Sequence, residues 1–370
     1  MPQHNIVVIG ASAGGLPALT SIIEGLPANL PASVLIAMHS SSNGQGVLPQ
    51  VLARISTLPV AFATDGEVLV AGRIYIARPD FHLIVGPTSL ALVHGPRENG
   101  FRPAIDPMFR TAAREYGRRV IGIVLSGALS DGTYGLSVIK QYGGTAVAQS
   151  PKDAIIPSMP QSAIQHVDVD YVLPAAEIAS LIVRLSQAPA RKNRSNMPRA
   201  NEPEPQRPTE DIDVRDMHSL FGPPSALTCP DCGGALWEVQ QDRVVRYQCH
   251  TGHQYAPENL EAGQSDAIDG ALWSAVRILE EHVELKTRMS QRAREGGLHV
   301  VSEGFAEGAR DAHRQAQRIR AVLFDSTDGG GAAPGGTARR TRGAAKKAPE
   351  SATRARSATP TRTRKKTASR

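Results

Sequence analysis

Asn5-Ile6-Val7-Val8-Ile9-Gly10-Ala11-Ser12-Ala13-Gly14-Gly15 carries an unbroken apolar run straight into a serine bracketed by glycines. Such a run reads as a strand buried on both faces, and Leu16 to Leu26 behind it reads as a helix. Gly10-Ala11-Ser12-Ala13-Gly14 fits the G-x-S-x-G elbow, which holds a nucleophilic hydroxyl on a tight strand-to-helix turn. The glycines remove β-carbons that would crowd both the turn and an approaching substrate. The first amides of the helix, with its dipole, would stabilise an oxyanion forming beside Ser12. A glycine-rich first βα turn also cradles phosphates, so this stretch alone leaves a nucleotide site open.

The later strands separate the two readings. A dinucleotide site needs an acidic residue at the tip of the second strand. Here Ser33-Val34-Leu35-Ile36-Ala37-Met38 ends in His39, followed by Ser40, Ser41 and Ser42. A further strand, Val120 to Leu125, ends in Ser126-Gly127-Ala128-Leu129-Ser130-Asp131-Gly132. A serine, a histidine and an aspartate thus each lie just past the carboxyl end of an expected parallel strand, the edge at which open α/β sheets bind ligands. His39 alone could be a polar strand cap, and Asp131 alone a turn residue or helix cap. Three at one edge favour a Ser12, His39, Asp131 triad. That chain order differs from the Ser, Asp, His order of α/β-hydrolases, so the chemistry is shared and the scaffold is not.

At this point the residues resemble a known family, the catalytic domain of the CheB-type protein-glutamate methylesterases of bacterial chemotaxis. The matching pieces are Ile9 to Gly15, Met38-His39, Tyr75 to Leu83, Phe101 to Phe109, Leu125 to Gly132 and Pro157-Ser158-Met159-Pro160, in family order over roughly residues 5 to 185. The resemblance implies Ser12 as nucleophile, His39 as general base, Asp131 as the residue orienting it, and backbone amides at Ala13 and Ala128 as oxyanion donors. Ala128 stands where the family usually has methionine. It also implies a helical, methylated receptor as partner, glutamine deamidation by the same acyl chemistry, phosphorelay signalling as the setting, and no cofactor for catalysis. The family's well-known members carry a receiver domain ahead of the esterase. With the catalytic strand beginning at residue 5, none is expected here, nor control by aspartyl phosphate in cis.

The 370 residues allow two or three domains. No stretch is apolar enough to span a membrane and no signal region opens the chain, so a cytoplasmic protein is expected. Alternating strands and helices to about Leu185 predict a doubly wound parallel sheet over 1–187, with Gly66 to Leu92 as an antiparallel insertion. Residues 188–224 have linker composition, rich in Pro, Asn, Arg and Glu. The linker is read as separating the esterase from the C-terminal modules, so that losing Cys232 would unfold 225–260 alone.

The three cysteines of the chain lie between 229 and 249, which excludes a disulfide framework. Cys229-Pro230-Asp231-Cys232 and Cys249-His250-Thr251-Gly252-His253 flank an expected hairpin, and the set predicts a structural zinc-ribbon-like module over 225–260. The ligands are Cys229, Cys232, Cys249 and His253, with His250 as the alternate. Redox catalysis by C-x-x-C is disfavoured, since that motif normally opens a helix. Leu272, Val276, Leu279 and Val283, then Phe305, Ala309, Ala312, Ala316, Ile319 and Leu323, predict a helical hairpin or coiled coil over 261–325, broken at Gly296-Gly297. It packs either on itself and its module or on a partner.

Residues 326–370 read as a disordered tail. From 338 to 370 they hold twelve Lys or Arg against one Glu, while the whole chain is +6, so the basic character belongs to the tail. Nucleic acid or an anionic membrane surface is the expected partner, with a solubilising tail as the alternative. Three function classes fit these features: a glutamate methylesterase, a signalling adaptor using the esterase fold for docking, and a zinc-and-tail nucleic-acid binder. The last is disfavoured because the ribbon shows no basic-aromatic face.

Overall fold

A computed structural model describes residues 5–39, 46–187, 218–219, 221–241 and 243–328. Most of the expected linker, the three serines after His39 and the basic tail from 329 onward lie outside the described residues.

The apolar run forms β1 (Asn5–Ala11), and its alternate residues feed two different cores. Ile6 and Val8 join one, Val7, Ile9 and Ala11 the other, and all five are fully buried. A strand buried on both faces must lie inside a sheet covered on both sides. β1 is the middle of seven parallel strands in the order β3-β4-β2-β1-β7-β8-β9. These are β2 (Ala32–Met38), β3 (Val60–Phe62), β4 (Arg73–Ile76), β7 (Val120–Val124), β8 (Thr145–Gln149) and β9 (Tyr171–Leu173). One face is covered by α1 (Gly15–Glu24) and α6 (Ala175–Gln187), the other by α3 (Ile105–Tyr116), α4 (Thr133–Gln141) and α5 (Ser158–His166). A short α2 (Leu48–Ala53) precedes β3.

The chain runs outward from β1 through β2 on one side and from β7 on the other, so the switch point of this sheet is β1 itself. Its carboxyl edge is where a doubly wound sheet leaves a crevice.

The expected antiparallel insertion over Gly66 to Leu92 is corrected in part. Arg73–Ile76 is an internal strand, parallel to β2 and β3, with Ile74, Tyr75 and Ile76 all buried. Turn residues on both sides of a four-residue strand hide it from pattern reading. The antiparallel piece is the hairpin of β5 (His82–Val85) and β6 (Leu90–Val93).

Beyond the sheet domain, β10 (Leu236–Gln241), β11 (Val244–Cys249) and β12 (Gln254–Tyr255) form an antiparallel three-stranded sheet. Two long helices come next, α7 (Pro257–Glu295) and α8 (His299–Asp328), packed on each other through Val276, Ala309, Ala312, Ala316 and Leu323. Gly297, at φ 76°, supplies the left-handed turn between them.

The small sheet is joined to the large domain rather than set apart from it. Glu98 and Gln254 form a parallel bridge, and Val244 belongs to the core on the α3 face. The Arg246 guanidinium lies 4.4 Å over the Tyr134 ring. Beneath this seam, Arg110 and Glu98 form a buried bidentate pair at 2.8 and 3.0 Å. Removing one partner of such a pair leaves an uncompensated buried charge. Arg110→Met is therefore expected to lower stability to urea by roughly 3–5 kcal/mol. A loss under about 1 kcal/mol would show that Glu98 is compensated by other groups.

Candidate active site

β1, β2 and β7 are neighbours, so the residues beyond their carboxyl ends must converge. His39 Nδ1 lies 2.9 Å from Ser12 Oγ, and His39 Nε2 lies 2.7 Å from Asp131 Oδ2. The three residues singled out from sequence thus form one continuous hydrogen-bond chain. Asp131 accepts at Nε2, which places the ring proton there and leaves the Nδ1 lone pair facing the serine hydroxyl.

The serine is fixed by the neighbouring strand tip. Ser12 N–H donates to Ser126 O at 3.0 Å, and Ser126 Oγ lies 3.1 Å from Ala13 O. Gly14 takes φ 71°, and a β-carbon there would sit 2.9 Å from Ser126 Oγ. At Gly127 a β-carbon would collide with Met159 Sδ and come within 2.7 Å of Ser12 Cβ. Both glycines are demanded by close approach, and α5 brings a methionine thioether to the side of the serine. Gly127 N–H is taken by Ile156 O at 3.0 Å. The N–H groups of Ala13 and Ala128, in contrast, donate to no acceptor among the described residues.

Phe101 stacks on the His39 ring at 3.6 Å between centroids and 10° between planes, which fixes the imidazole's tilt. Pattern reading singled out neither Phe101 nor Asn99 as a site residue. Phe101 stood inside a quoted motif, and Asn99 carried no signal.

Asp131 has no solvent contact, and five donors surround it. Its Oδ2 takes His39 Nε2 and Ile105 N–H, both at 2.7 Å. Its Oδ1 takes Asn99 Nδ2 at 2.8 Å, Gly132 N–H at 2.9 Å and Asp106 N–H at 3.3 Å. Two of these are the first amides of α3, so the positive end of that helix faces the carboxylate. Burial alone would raise its pKa. The hydrogen bond and charge of His39, then the Ile105 amide and Asn99, hold it below the ordinary carboxylate value.

Asp106 sits beside it, bonded to Asn99 Nδ2 at 3.0 Å and to Gly135 N–H at 2.6 Å. Burial, reinforced by the charge of Asp131, pushes the Asp106 carboxyl well above the ordinary range.

Next to His39 a groove of about 250 Å³ runs past Leu16, Met38, Val47, Val51, Phe62 and Ile76.

A second constellation lies in the small sheet. Cys229, Cys232, Cys249 and His253 bring their ligand atoms within 4.8 Å of one another, and His250 is not among them. Cys232 Sγ and Cys249 Sγ are 3.7 Å apart, and Cys249 Sγ is 3.5 Å from His253 Nδ1. A tetrahedral ion at about 2.3 Å from sulfur and about 2.0–2.1 Å from nitrogen implies edges of about 3.8 and 3.6 Å. The donor set and its spacing are compatible with zinc.

A family model described as CheB methylesterase matches residues 7–182. A protein of Leptospira interrogans (strain Fiocruz L1-130), with the provisional name protein-glutamate methylesterase/protein-glutamine glutaminase, is 38% identical over 186 residues. The match covers 50% of this chain and 96% of that relative. The chain belongs to the CheB methylesterase family. A protein-glutamate methylesterase/protein-glutamine glutaminase 2 of Anaeromyxobacter dehalogenans is 39% identical over 49% of this chain and 53% of its own length. The crystal structure of the Thermotoga maritima CheB methylesterase catalytic domain is similar at 36% identity, covering 49% of this chain and 98% of that one, with a TM-score of 0.48. Residues 7–182 are thus a methylesterase domain, and the cysteine cluster and helical hairpin lie outside the matched residues.

The raised Asp106 carboxyl has a consequence for stability. A group whose folded pKa exceeds its unfolded one contributes stability that is complete below the unfolded value and lost as pH rises through the folded value. Urea midpoints of the protein are expected to lose this contribution above the ordinary carboxylate range, and Asp106→Asn should remove that slope whatever its effect on absolute stability. Identical slopes in both proteins would mean that Asp106 titrates like an exposed carboxyl.

Proposed function

We propose that this chain hydrolyses glutamate γ-methyl esters on a methylated helical receptor, through Ser12, His39 and Asp131. The observation that carries this reading is the unbroken hydrogen-bond chain from Ser12 Oγ through His39 to Asp131, at 2.9 and 2.7 Å. The names of the relatives support the substrate class, being protein-glutamate methylesterase/protein-glutamine glutaminase.

Ser12 Oγ attacks the ester carbonyl as His39 Nδ1 takes its proton. The oxyanion is received by the uncommitted N–H groups of Ala13 and Ala128. Asp131 holds the ring and balances the imidazolium. Methanol leaves with the proton from Nδ1, and the Ser12 ester of the glutamyl side chain remains. Water then attacks that ester with His39 as base, and glutamate and the free serine are released. A glutamine side chain would take the same path with ammonia as leaving group. The apolar groove beside His39 fits the receptor segment that flanks the ester. No helix among the described residues is long and apolar enough to cross a membrane.

Methanol release from methyl-labelled receptor tests this directly. Ser12→Ala and His39→Ala should each reduce turnover by about 10⁴-fold or more, and Asp131→Ala by somewhat less. Near wild-type turnover in Ser12→Ala would sink the mechanism.

In the ribbon, Cys229, Cys232, Cys249 and His253 would hold one structural zinc, and four protein ligands leave no position for substrate. Metal analysis of protein purified without chelator should find one zinc per chain, falling below half in Cys232→Ser. A wild-type protein without zinc would refute this assignment.

A further inference from the structure

We propose that Asn99 is a positioning residue for the triad aspartate, and that Gln254–Asn259, where the ribbon passes into α7, holds it in place. The inference rests on the proposed Ser12, His39, Asp131 triad.

Asn99 is buried and takes φ 54°, a left-handed conformation that asparagine tolerates better than most residues. Its side-chain amide stands between two carboxyl groups, with Nδ2 3.0 Å from Asp106 Oδ2 and 2.8 Å from Asp131 Oδ1. Its other polar groups all face the C-terminal segment. Oδ1 accepts the Ala256 N–H at 2.8 Å, the backbone N–H donates to Gln254 O at 2.6 Å, and the backbone carbonyl accepts Asn259 Nδ2 at 3.1 Å.

This division has a directional consequence. An amide has one accepting end and one donating end. The Ala256 N–H requires oxygen on its side, so the NH₂ must point at Asp131 and Asp106. The C-terminal segment therefore sets which end of Asn99 the triad aspartate meets.

The same segment grips the other flank of Asp131. Ser130, its immediate neighbour, donates Oγ to Glu258 Oε2 at 2.9 Å or Asn259 Oδ1 at 3.0 Å. Asn259 thus lies within hydrogen-bond distance of residues on both sides of Asp131. His253, of the cysteine cluster, directly precedes Gln254, so a metal that fixed His253 would fix the start of this segment. The hydrogen bonds of Asn99 go to Asp131, Asp106 and the C-terminal segment and none to Ser12, so it acts by keeping Asp131 Oδ2 aligned with His39.

The test uses the full chain and a fluorophosphonate, which phosphonylates an activated serine with loss of fluoride and needs no receptor. The maximal labelling rate, the half-saturating probe concentration and the low-field proton resonance of the His39–Asp131 hydrogen bond are measured together. Asn99→Gly removes the amide while keeping the left-handed backbone, and Asn99→Asp keeps the shape while replacing a donor by a charge. Both should lower the maximal rate on the order of 10- to 100-fold at unchanged half-saturation, and shift or abolish the resonance. Asn259→Ala should produce a smaller loss of the same kind. If the wild type is labelled at Ser12 and both Asn99 variants match it in rate and resonance, the inference fails while the proposed function stands. An effect of Asn99 without one of Asn259 overturns the part assigned to the C-terminal segment. A wild type not labelled at Ser12 overturns the triad reading, and this inference with it.

Discussion

A carboxylate removed from water must be compensated by donors at fixed positions, and Asp131 imposes that demand on the whole molecule. Its five donors come from the tip of β2, the loop before α3, the first turn of α3 and its own turn. None can shift without leaving a buried charge short of partners, at a cost well above that of an ordinary hydrogen bond. The doubly wound sheet sets β1 between β2 and β7, which places three strand tips together. The crossover through α3 then aims a helix N-terminus at the carboxylate. Fold and electrostatics here are one requirement seen twice.

Two carboxyl groups this close cannot both ionise cheaply. The site separates their roles by environment. Both are buried, but Asp131 receives the imidazole and most of the backbone donors while Asp106 has fewer donors against its burial and the repulsion of its neighbour, so their pKa values move apart. The Asn99 amide lies between them and serves both.

Much of this was legible in the sequence wherever one residue type and a local period carried the signal. The β1 run, the glycines around Ser12, the polar tips at His39 and Asp131, the cysteine spacing and the four-three-four apolar repeat of α7 and α8 are all local. The remainder depends on pairs far apart in the chain. Arg73–Ile76 is too short, and too closely flanked by turns, to announce itself as an internal strand. Asn99 reads as a loop residue until Ala256 and Asn259, over 150 positions later, lie against it. The reading of the linker as a separator failed to foresee contact for the same reason. Its composition describes the connecting chain and carries no information about the surfaces it connects, such as Arg246 on Tyr134.

The distribution of contacts along the chain bears on biosynthesis. Translation makes Ser12, His39 and Asp131 more than a hundred residues before the segment that lies against Asn99. The groups that orient Asn99 and tether Ser130 arrive only with residues 254–259. A nascent or prematurely terminated polypeptide that stops before them holds the three proposed triad residues without these hydrogen bonds. If the Asn99 proposal holds, the alignment of an early segment is tied to the integrity of a late one.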